Sequence, residues 1–279
     1  MRIKSLRLTS QTFFFIFSIL GIVGIAMTGL IYPFFFCYAC PYAVAACPIG
    51  LMEHAAIDIV MIGVIEGLVL FAYTFGFLAI VGLIFGRGFC GWACPIGFLQ
   101  DATNKLREKT IKKMIGEKGD IDGDKLKYLK YLFIPIIPIS SYITLDLLYT
   151  RFCPVGGITG TLPSLLLFPN KWTPSTYFPI KIVSIILFFV LVAVIGKGWC
   201  RFLCPVGAIF APFNKVSRAK LKKTEECVGC EEEGCSKVCP MQIEEPGEKD
   251  DPECILCGRC VDECEAGGLD LKLKGWKDE

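Results

Sequence analysis

The chain has 279 residues, of which 53% are hydrophobic and only 20% are charged. Soluble domains carry about 25% charged residues, and the mean hydropathy here is +0.55, so a single water-soluble globule is excluded. The 29 Lys and Arg residues nearly balance the 27 Asp and Glu residues, which leaves a net charge of +2 and no bulk field for a nucleic acid. The sixteen cysteines are too sparse for a disulfide-stapled mini-domain, in which cysteine exceeds about 8 to 10% of the residues.

Four apolar segments are long enough to cross a hydrocarbon core of about 30 Å, which takes about 20 helical residues. They are Phe13 to Phe36, Ile57 to Phe85, Tyr128 to Tyr149 and Phe178 to Gly196. The predicted fold class is an all-α membrane protein with four transmembrane helices in two duplicated hairpins. The tail after them carries eight cysteines in two runs, as two-cluster ferredoxins do, and is predicted to be a small α+β domain of that kind.

Lysine and arginine counts predict the orientation, because cytoplasmic loops carry the excess of positive charge. The N-terminal arm has three of these residues, residues 86–127 have nine and the tail from residue 196 has thirteen, whereas residues 37–56 have none and residues 150–179 have two. We expect a multi-pass protein of the cell membrane with both termini in the cytoplasm. The predicted domains are an arm at 1–12, a four-helix membrane domain at 13–215 and a cytoplasmic ferredoxin-like domain at 216–279.

A cysteine motif occurs twice. The segment Gly86-Arg-Gly-Phe-Cys90-x3-Cys94-Pro-Ile-Gly97 recurs as Gly196-Lys-Gly-Trp-Cys200-x3-Cys204-Pro-Val-Gly207, 110 residues later. We call residues 86–97 and 196–207 the two repeats and expect them to be related by a pseudo-twofold axis along the membrane normal. Cys90, Cys94, Cys200 and Cys204 are predicted to hold one [4Fe–4S] cluster at the cytoplasmic face; the alternative is a set of reduced thiols that only pack.

The tail contains eight cysteines in two runs that end with a spacing of three residues. In two-cluster ferredoxins the fourth cysteine of each run ligates the other cluster. The predicted ligands are Cys227, Cys230, Cys235 and Cys264 for one [4Fe–4S] cluster, and Cys254, Cys257, Cys260 and Cys239 for the second. A pair of structural zinc knuckles is the alternative, because C-x2-C pairs also bind zinc.

The remaining cysteines, Cys37, Cys40, Cys47 and Cys153, lie in the two predicted outer loops. Two of them belong to further Cys-Pro-[Ile/Val]-Gly motifs, at Cys47 and at Cys153. This similarity to the repeats favours a fourth cluster on the outer face. Two disulfides are the alternative, because an outer face is oxidising.

Few ionisable side chains lie in the apolar segments. Glu53, His54 and Asp58 are interpreted as solvated residues of the outer interface, and a single histidine cannot form a bis-histidine haem. Glu66 is the candidate catalytic residue, for proton transfer at a quinone site, because ionisable groups at membrane depth are functional candidates. The basic, amphipathic segment Phe98 to Met114 is expected to lie on anionic lipid. No nucleotide fingerprint is present.

These motifs resemble the membrane-bound polyferredoxins of NapH, NosR and RdxA type. The resemblance rests on the four apolar segments, the two C-x3-C-P motifs and the eight-cysteine tail, and it covers nearly the whole chain. It implies electron transfer between the quinone pool, cytoplasmic clusters and a redox partner on the outer face. The four outer cysteines are not part of that family pattern.

The sequence therefore predicts an integral-membrane iron–sulfur protein that relays electrons between a cytoplasmic donor and the quinone pool or an outer redox partner. The expected partners are redox proteins, membrane lipid and a quinone, and no nucleic acid is expected. The first alternative is a quinone oxidoreductase with its own site among the helices. The second is a redox sensor, for which no output domain is visible in the sequence.

Overall fold

The computed structural model describes residues 3–20, 47–110, 126–167, 169, 176–224, 227, 234–247, 250–264 and 266–273, without the side chains of 17–20, 107–110 and 164. These residues are mostly helical. The helices are α1 Ile3–Leu20, α2 Pro48–Met61, α3 Val64–Phe85, α4 Gly88–Trp92, α5 Pro95–Thr110, α6 Leu129–Thr144, α7 Leu148–Phe152, α8 Pro154–Gly156, α9 Leu162–Leu167, α10 Phe178–Val194, α11 Pro205–Phe210, α12 Gly234–Lys237 and α13 Arg259–Glu263. Leu126–Tyr128 and Ala211–Lys215 are 3₁₀ turns, and Gly157–Thr161 and Trp199–Leu203 are π turns.

The prediction of four transmembrane helices in two duplicated hairpins is wrong. Among the described residues only one helix, Val64–Phe85 with 22 residues, is long and apolar enough to cross a membrane. Leu129–Thr144 has 16 residues and Phe178–Val194 has 17, and each is shorter than the roughly 20 that a span needs. Most of the predicted segment Phe13 to Phe36 lies outside the described residues.

The predicted span Ile57 to Phe85 is in fact divided between two helices. Helix α2 ends at Met61, and α3 begins at Val64 and packs closely against it. A Cβ on Gly67 would lie 2.7 Å from the carbonyl oxygen of Ala55, so the absence of a side chain at Gly67 lets the two backbones approach. Hydropathy alone does not register this break, because both helices are apolar.

The predicted span Tyr128 to Tyr149 also stops early. Helix α6 ends at Thr144, and the residue that caps it, Leu145, adopts a left-handed conformation with φ 52°. The chain then turns into α7, and the backbone N–H of Tyr149 donates to the buried Glu53 carboxylate at 2.8 Å. The break thus leads the chain toward a buried acceptor on α2.

The tail contains a two-stranded antiparallel sheet, β1 Ala219–Lys223 and β2 Leu269–Leu273, in which Leu221 faces Leu271. It packs against the helical part of the chain. One buried apolar cluster combines Ile49 of α2, Ile137 of α6 and Phe210 of α11 with Ile255 of the tail. The core therefore runs without interruption from the helices into the cysteine-rich tail.

Candidate functional site

Four cysteines stand directly before a helix that begins with proline. They are Cys47, Cys94, Cys153 and Cys204. Proline suits the first helical position because it has no N–H to leave unsatisfied, and a helix N-terminus favours a negative charge. The Cys153 side chain makes no hydrogen bond that caps its helix. Burial raises the pKa of Cys153, and the backbone amides of Val155 and Gly156 offset part of that rise. The backbone amides of the Cys-Pro-[Ile/Val]-Gly motif thus offset part of the rise in pKa that burial causes.

The two repeats bring their four cysteines together. Burial raises the pKa of Cys90 to about 11 and that of Cys94 to about 12. Cys200 and Cys90 raise the pKa of Cys94 further, and Cys200, Cys90 and Cys94 do the same at Cys204, so the four thiols lie within electrostatic reach of one another. We call this group the repeat site.

Each repeat places a buried cation on the other repeat. Arg87, which is fully buried, directs its Nη2 to the carbonyl oxygen of Cys200 at 3.3 Å. Lys197 occupies the corresponding position, is equally buried and donates from Nζ to the carbonyl oxygen of Gly97 at 2.8 Å. The exchange follows the 110-residue offset of the repeats. Two positive charges therefore lie beside four thiols, which lowers the cost of making them anionic.

A buried carboxylate joins the first repeat to the tail. Glu253 Oε2 accepts from Arg87 Nη1 at 2.8 Å, and its carboxylate also pairs with the buried Lys130. Burial alone would raise the pKa of Glu253, but Arg87 and Lys130 hold it below its usual range. Asp101 performs a similar role for Arg7, Lys197 and Arg259.

Backbone carbonyls of the tail loop 251–257 accept further hydrogen bonds from the rest of the chain. Asn214 Nδ2 donates to the carbonyl oxygens of Asp251 at 2.9 Å and Cys254 at 2.7 Å, and Trp92 Nε1 donates to that of Leu256 at 2.8 Å. These hydrogen bonds hold the cysteine-bearing loop against the helical part of the chain.

The tail loop encloses a cavity with four cysteines in its wall. Cys239, Cys254, Cys257 and Cys260 all line it, and its volume is about 20 Å³. Burial raises the pKa of Cys254 and of Cys260 to about 12 each, and the backbone N–H of Ile243 donates to Cys239 Sγ at 3.5 Å. We call this group the tail site; it unites the four cysteines that the crossed ferredoxin pattern predicts for one cluster.

The other predicted tail set is only partly described. Cys230 lies outside the described residues. Cys235 and Cys264 pack against the same buried cluster, which contains Leu221 and Leu269, and a Cβ on Gly268 would lie 2.7 Å from Cys227 Cα. The assignment of this set stays a prediction.

Two of the four predicted outer cysteines are also neighbours. Cys47 raises the pKa of Cys153, which burial holds at about 11. The phenol of Tyr149 lies among Cys153, Cys204 and Cys47, all of which raise its pKa together with burial. Cys37 and Cys40 lie outside the described residues. No disulfide joins any of the described cysteines.

The ionisable candidates lie apart from the cysteines. Glu66 is exposed on the first turn of α3, with its carboxylate turned toward Gly63. His54 is partly buried, and burial lowers its pKa while Asp58 raises it. Their neighbour Glu53 is instead fully buried, and sequence reasoning treated it as solvated.

Sequence reasoning also missed the buried polar residues Arg87, Gln100, Asp101 and Lys197 around the repeat site, and Glu253, whose side chain is 13% exposed. A signal existed for the two cations, because each occupies the basic position between the first two glycines of its repeat. No signal in a single sequence marks the other three. Their role depends on partners more than 90 residues away along the chain.

The cysteine groups suit [4Fe–4S] clusters by their donor chemistry. Within the described ranges, no three His, Cys, Asp or Glu side chains converge as the ligands of a single ion would. A cubane requires less convergence, because each of its thiolates binds a different iron. Buried thiols with raised pKa values resist ionisation unless positive charge compensates them, and iron supplies that charge when it binds.

Comparison with known proteins agrees with this donor chemistry. A family model described as a 4Fe-4S binding domain matches residues 67–113 and 177–224, one match over each repeat. These two matches support two [4Fe–4S] clusters. No solved structure matches the chain.

Some relatives are named ferredoxin-type proteins, and others are uncharacterized. MJ0750 of Methanocaldococcus jannaschii, an uncharacterized protein, is 31% identical over 69% of this chain and 74% of its own length. The ferredoxin-type protein NapH of Haemophilus influenzae is 29% identical over 67% of this chain and 62% of its own length. The methylamine utilization ferredoxin-type protein MauN of Methylobacillus flagellatus is 28% identical over 59% of this chain and 53% of its own length.

The chain covers less than two thirds of the two named relatives. The resemblance predicted from the cysteine motifs is confirmed, as is the prediction of [4Fe–4S] cofactors for two clusters. Electron transport is the role that this kinship supports. The chain belongs to the NapH-type family of ferredoxin-type 4Fe–4S proteins.

Proposed function

We propose that this protein is a membrane-attached electron relay whose repeat site and tail site each hold a [4Fe–4S] cluster. The remaining tail cysteines and the outer cysteines hold one cluster each in this proposal. A cytoplasmic redox protein donates electrons at the tail. A quinone or an outer redox partner accepts them.

The observation that carries the proposal is the docking of loop 251–257 onto the repeats. Arg87 contacts the Cys200 carbonyl and also donates to the carbonyl oxygen of Pro252 at 2.9 Å, so one side chain touches a repeat-site cysteine and the tail loop. Cys90, of the repeat site, and Cys257, of the tail site, belong to the same buried apolar cluster. Short separation and a rigid, dry path are what electron transfer between two centres requires.

The residues around the two sites have distinct tasks. The clusters supply one-electron chemistry when bound. Arg87 and Lys197 offset the negative charge of the thiolates, and the apolar cluster around Phe210 keeps water from the repeat site. Glu253 and Asp101 fix the cations in place by pairing with them. The protein thus provides binding, charge balance and exclusion of solvent.

Attachment to the membrane is supported by α3. Its apolar side chains Ile65, Leu68 and Val69 are exposed to 74%, 55% and 63%, and contact with lipid would remove this area from water. We further propose that the C-terminal tail lies in the cytoplasm. A reporter fused after Glu279 should then be active on the cytoplasmic side, and an exported reporter would refute this orientation.

Iron content tests the relay. Anaerobically purified protein should contain about 16 Fe per chain if four clusters are bound, and Cys200→Ser should lose about 4 of them. Cys254→Ser should lose a similar amount but remove a different electron paramagnetic resonance signal. Full iron retention in Cys200→Ser would refute the repeat site, and substantial zinc would favour the knuckle alternative.

A quinone site at Glu66 is the second candidate. The observation in its favour is the exposure of this carboxylate at the end of the one described helix that can span a membrane. Glu66→Gln should then slow quinone reduction through lost proton uptake, while Asp58→Asn, on the neighbouring helix, should not. Equal rates in the Glu66→Gln variant and the wild type would refute this site.

A further inference from the structure

Gln100 has a contact that the proposed relay does not explain. It lies on α5 and is fully buried, and its Nε2 lies 3.0 Å from Cys200 Sγ. The only other contact of this nitrogen among the described residues is a longer one, at 3.4 Å, to the carbonyl oxygen of Ile96. The side-chain amide is therefore directed at a sulfur of the repeat site.

Stabilisation of the fold does not explain the side-chain amide of Gln100. Its oxygen, Oε1, is buried and has no hydrogen-bond partner among the described residues. A buried polar atom without a partner costs free energy, and such atoms are rare in proteins unless they have a function. An apolar side chain of similar size would avoid this cost.

The second repeat shows that the fold does not need an amide here. The 110-residue offset relates Gln100 to Phe210, which is also fully buried and packs on Phe89 with ring centroids 5.9 Å apart. A purely apolar residue thus fills the related position. The amide is an asymmetric addition to an otherwise repeated site.

A hydrogen-bond donor at a ligand sulfur stabilises the reduced state of an iron–sulfur centre, because that state carries more negative charge. The effect is larger in a buried site, where the local dielectric is low. We propose that Gln100 raises the reduction potential of the repeat site by donating its amide N–H to the Cys200 sulfur. This inference rests on the proposed function, because it requires a cluster held by Cys200.

The test is a redox titration of the purified, cluster-loaded protein followed by electron paramagnetic resonance. The couple that disappears in Cys200→Ser identifies the repeat site. Gln100→Leu and Gln100→Met should each lower its potential, so that the ratio of reduced to oxidised centre at a fixed potential falls about tenfold, or 59 mV for one electron. Thr103→Val is the matched control, because among the described residues Thr103 Oγ1 bonds only the carbonyl oxygen of Leu99 in its own helix.

Iron content separates the possible failures. Wild-type iron in both Gln100 variants with a lowered potential supports the inference. Wild-type iron with an unchanged potential overturns it, and so does iron loss in both variants, because Gln100 would then be structural. If Cys200→Ser removes neither iron nor a couple, the proposed function itself fails at this site.

Discussion

The pairing of Glu253 with Arg87 and Lys130 gives a sharp prediction about how the tail is held. In Glu253→Gln, two cations whose side chains are 0% exposed face a neutral amide. Removing one partner of a buried ion pair costs about 3 to 5 kcal/mol. Because glutamine keeps one acceptor oxygen, we expect the lower end, about 3 kcal/mol.

Hydrogen exchange measures this loss locally. A cost of about 3 kcal/mol corresponds to about a 100-fold increase in the population of the open state, since each 1.4 kcal/mol is tenfold. We therefore expect the amides of residues 250–257 to exchange about 100-fold faster in Glu253→Gln. Mass spectrometry of the peptide that contains this loop provides the readout.

Asp250→Asn is the matched control, because it removes an ion pair from the same loop. Asp250 pairs with Lys220, but the two side chains are 35% and 19% exposed. A partly exposed pair of this kind is worth about 0 to 1 kcal/mol, so exchange should accelerate about fivefold at most. Equal exchange rates in the two variants would refute the reasoning that burial makes the Glu253 pairing dominant.

Three further predictions concern Asp101, Gly97 and Tyr149. Asp101→Asn should destabilise the protein by about 2 kcal/mol at pH 7 in thermal or chemical unfolding, because Lys197 and two arginines outweigh burial and lower the pKa of Asp101 to about 2. Since that pKa lies below the ordinary 3.8, the stabilisation in the wild type should be complete above about pH 4 and lost toward pH 2. The Asp101→Asn variant should lack this pH dependence. Gly97→Ala should reduce bound iron, because its Cβ would lie 2.7 Å from the Cys90 carbonyl oxygen, whereas Gly76→Ala, with nothing within 4 Å, should retain it. Tyr149→Phe should shift the signal of any centre held by Cys153, because the phenol hydrogen-bonds that thiol, and an unchanged spectrum would contradict the contact.

The comparison of predicted and observed helices shows where hydropathy is informative. It identified the region of Val64–Phe85, a helix of 22 residues that is long and apolar enough to cross a membrane. It failed at Gly63, where one apolar run became two packed helices, and at Leu145, where a left-handed residue ended a helix. Each break allows a tertiary contact, between Gly67 and Ala55 and between Tyr149 and Glu53, which a sliding average of hydropathy does not detect.

The candidate site, like the helices, could be predicted from the sequence only in part. The duplicated C-x3-C-P motif was visible without any structure, because the thiolate ligands and the helix-starting proline are adjacent in the chain. Gln100 and Glu253 were not, because a glutamine on a helix and a glutamate before a cysteine are ordinary surface residues by composition. Only burial beside Cys200 and Arg87 gives them a role.

The sequence by itself determined the family, the cysteine chemistry and the presence of two related halves, because these depend on residue type and local spacing. The tertiary structure decided how the halves meet. Arg87 and Lys197 each cross to the opposite repeat, and the tail loop is fixed to the helical part of the chain by Asn214 and Trp92. Such contacts join residues that lie 40 or more positions apart, and their energy depends on burial, which exists only once the chain has folded.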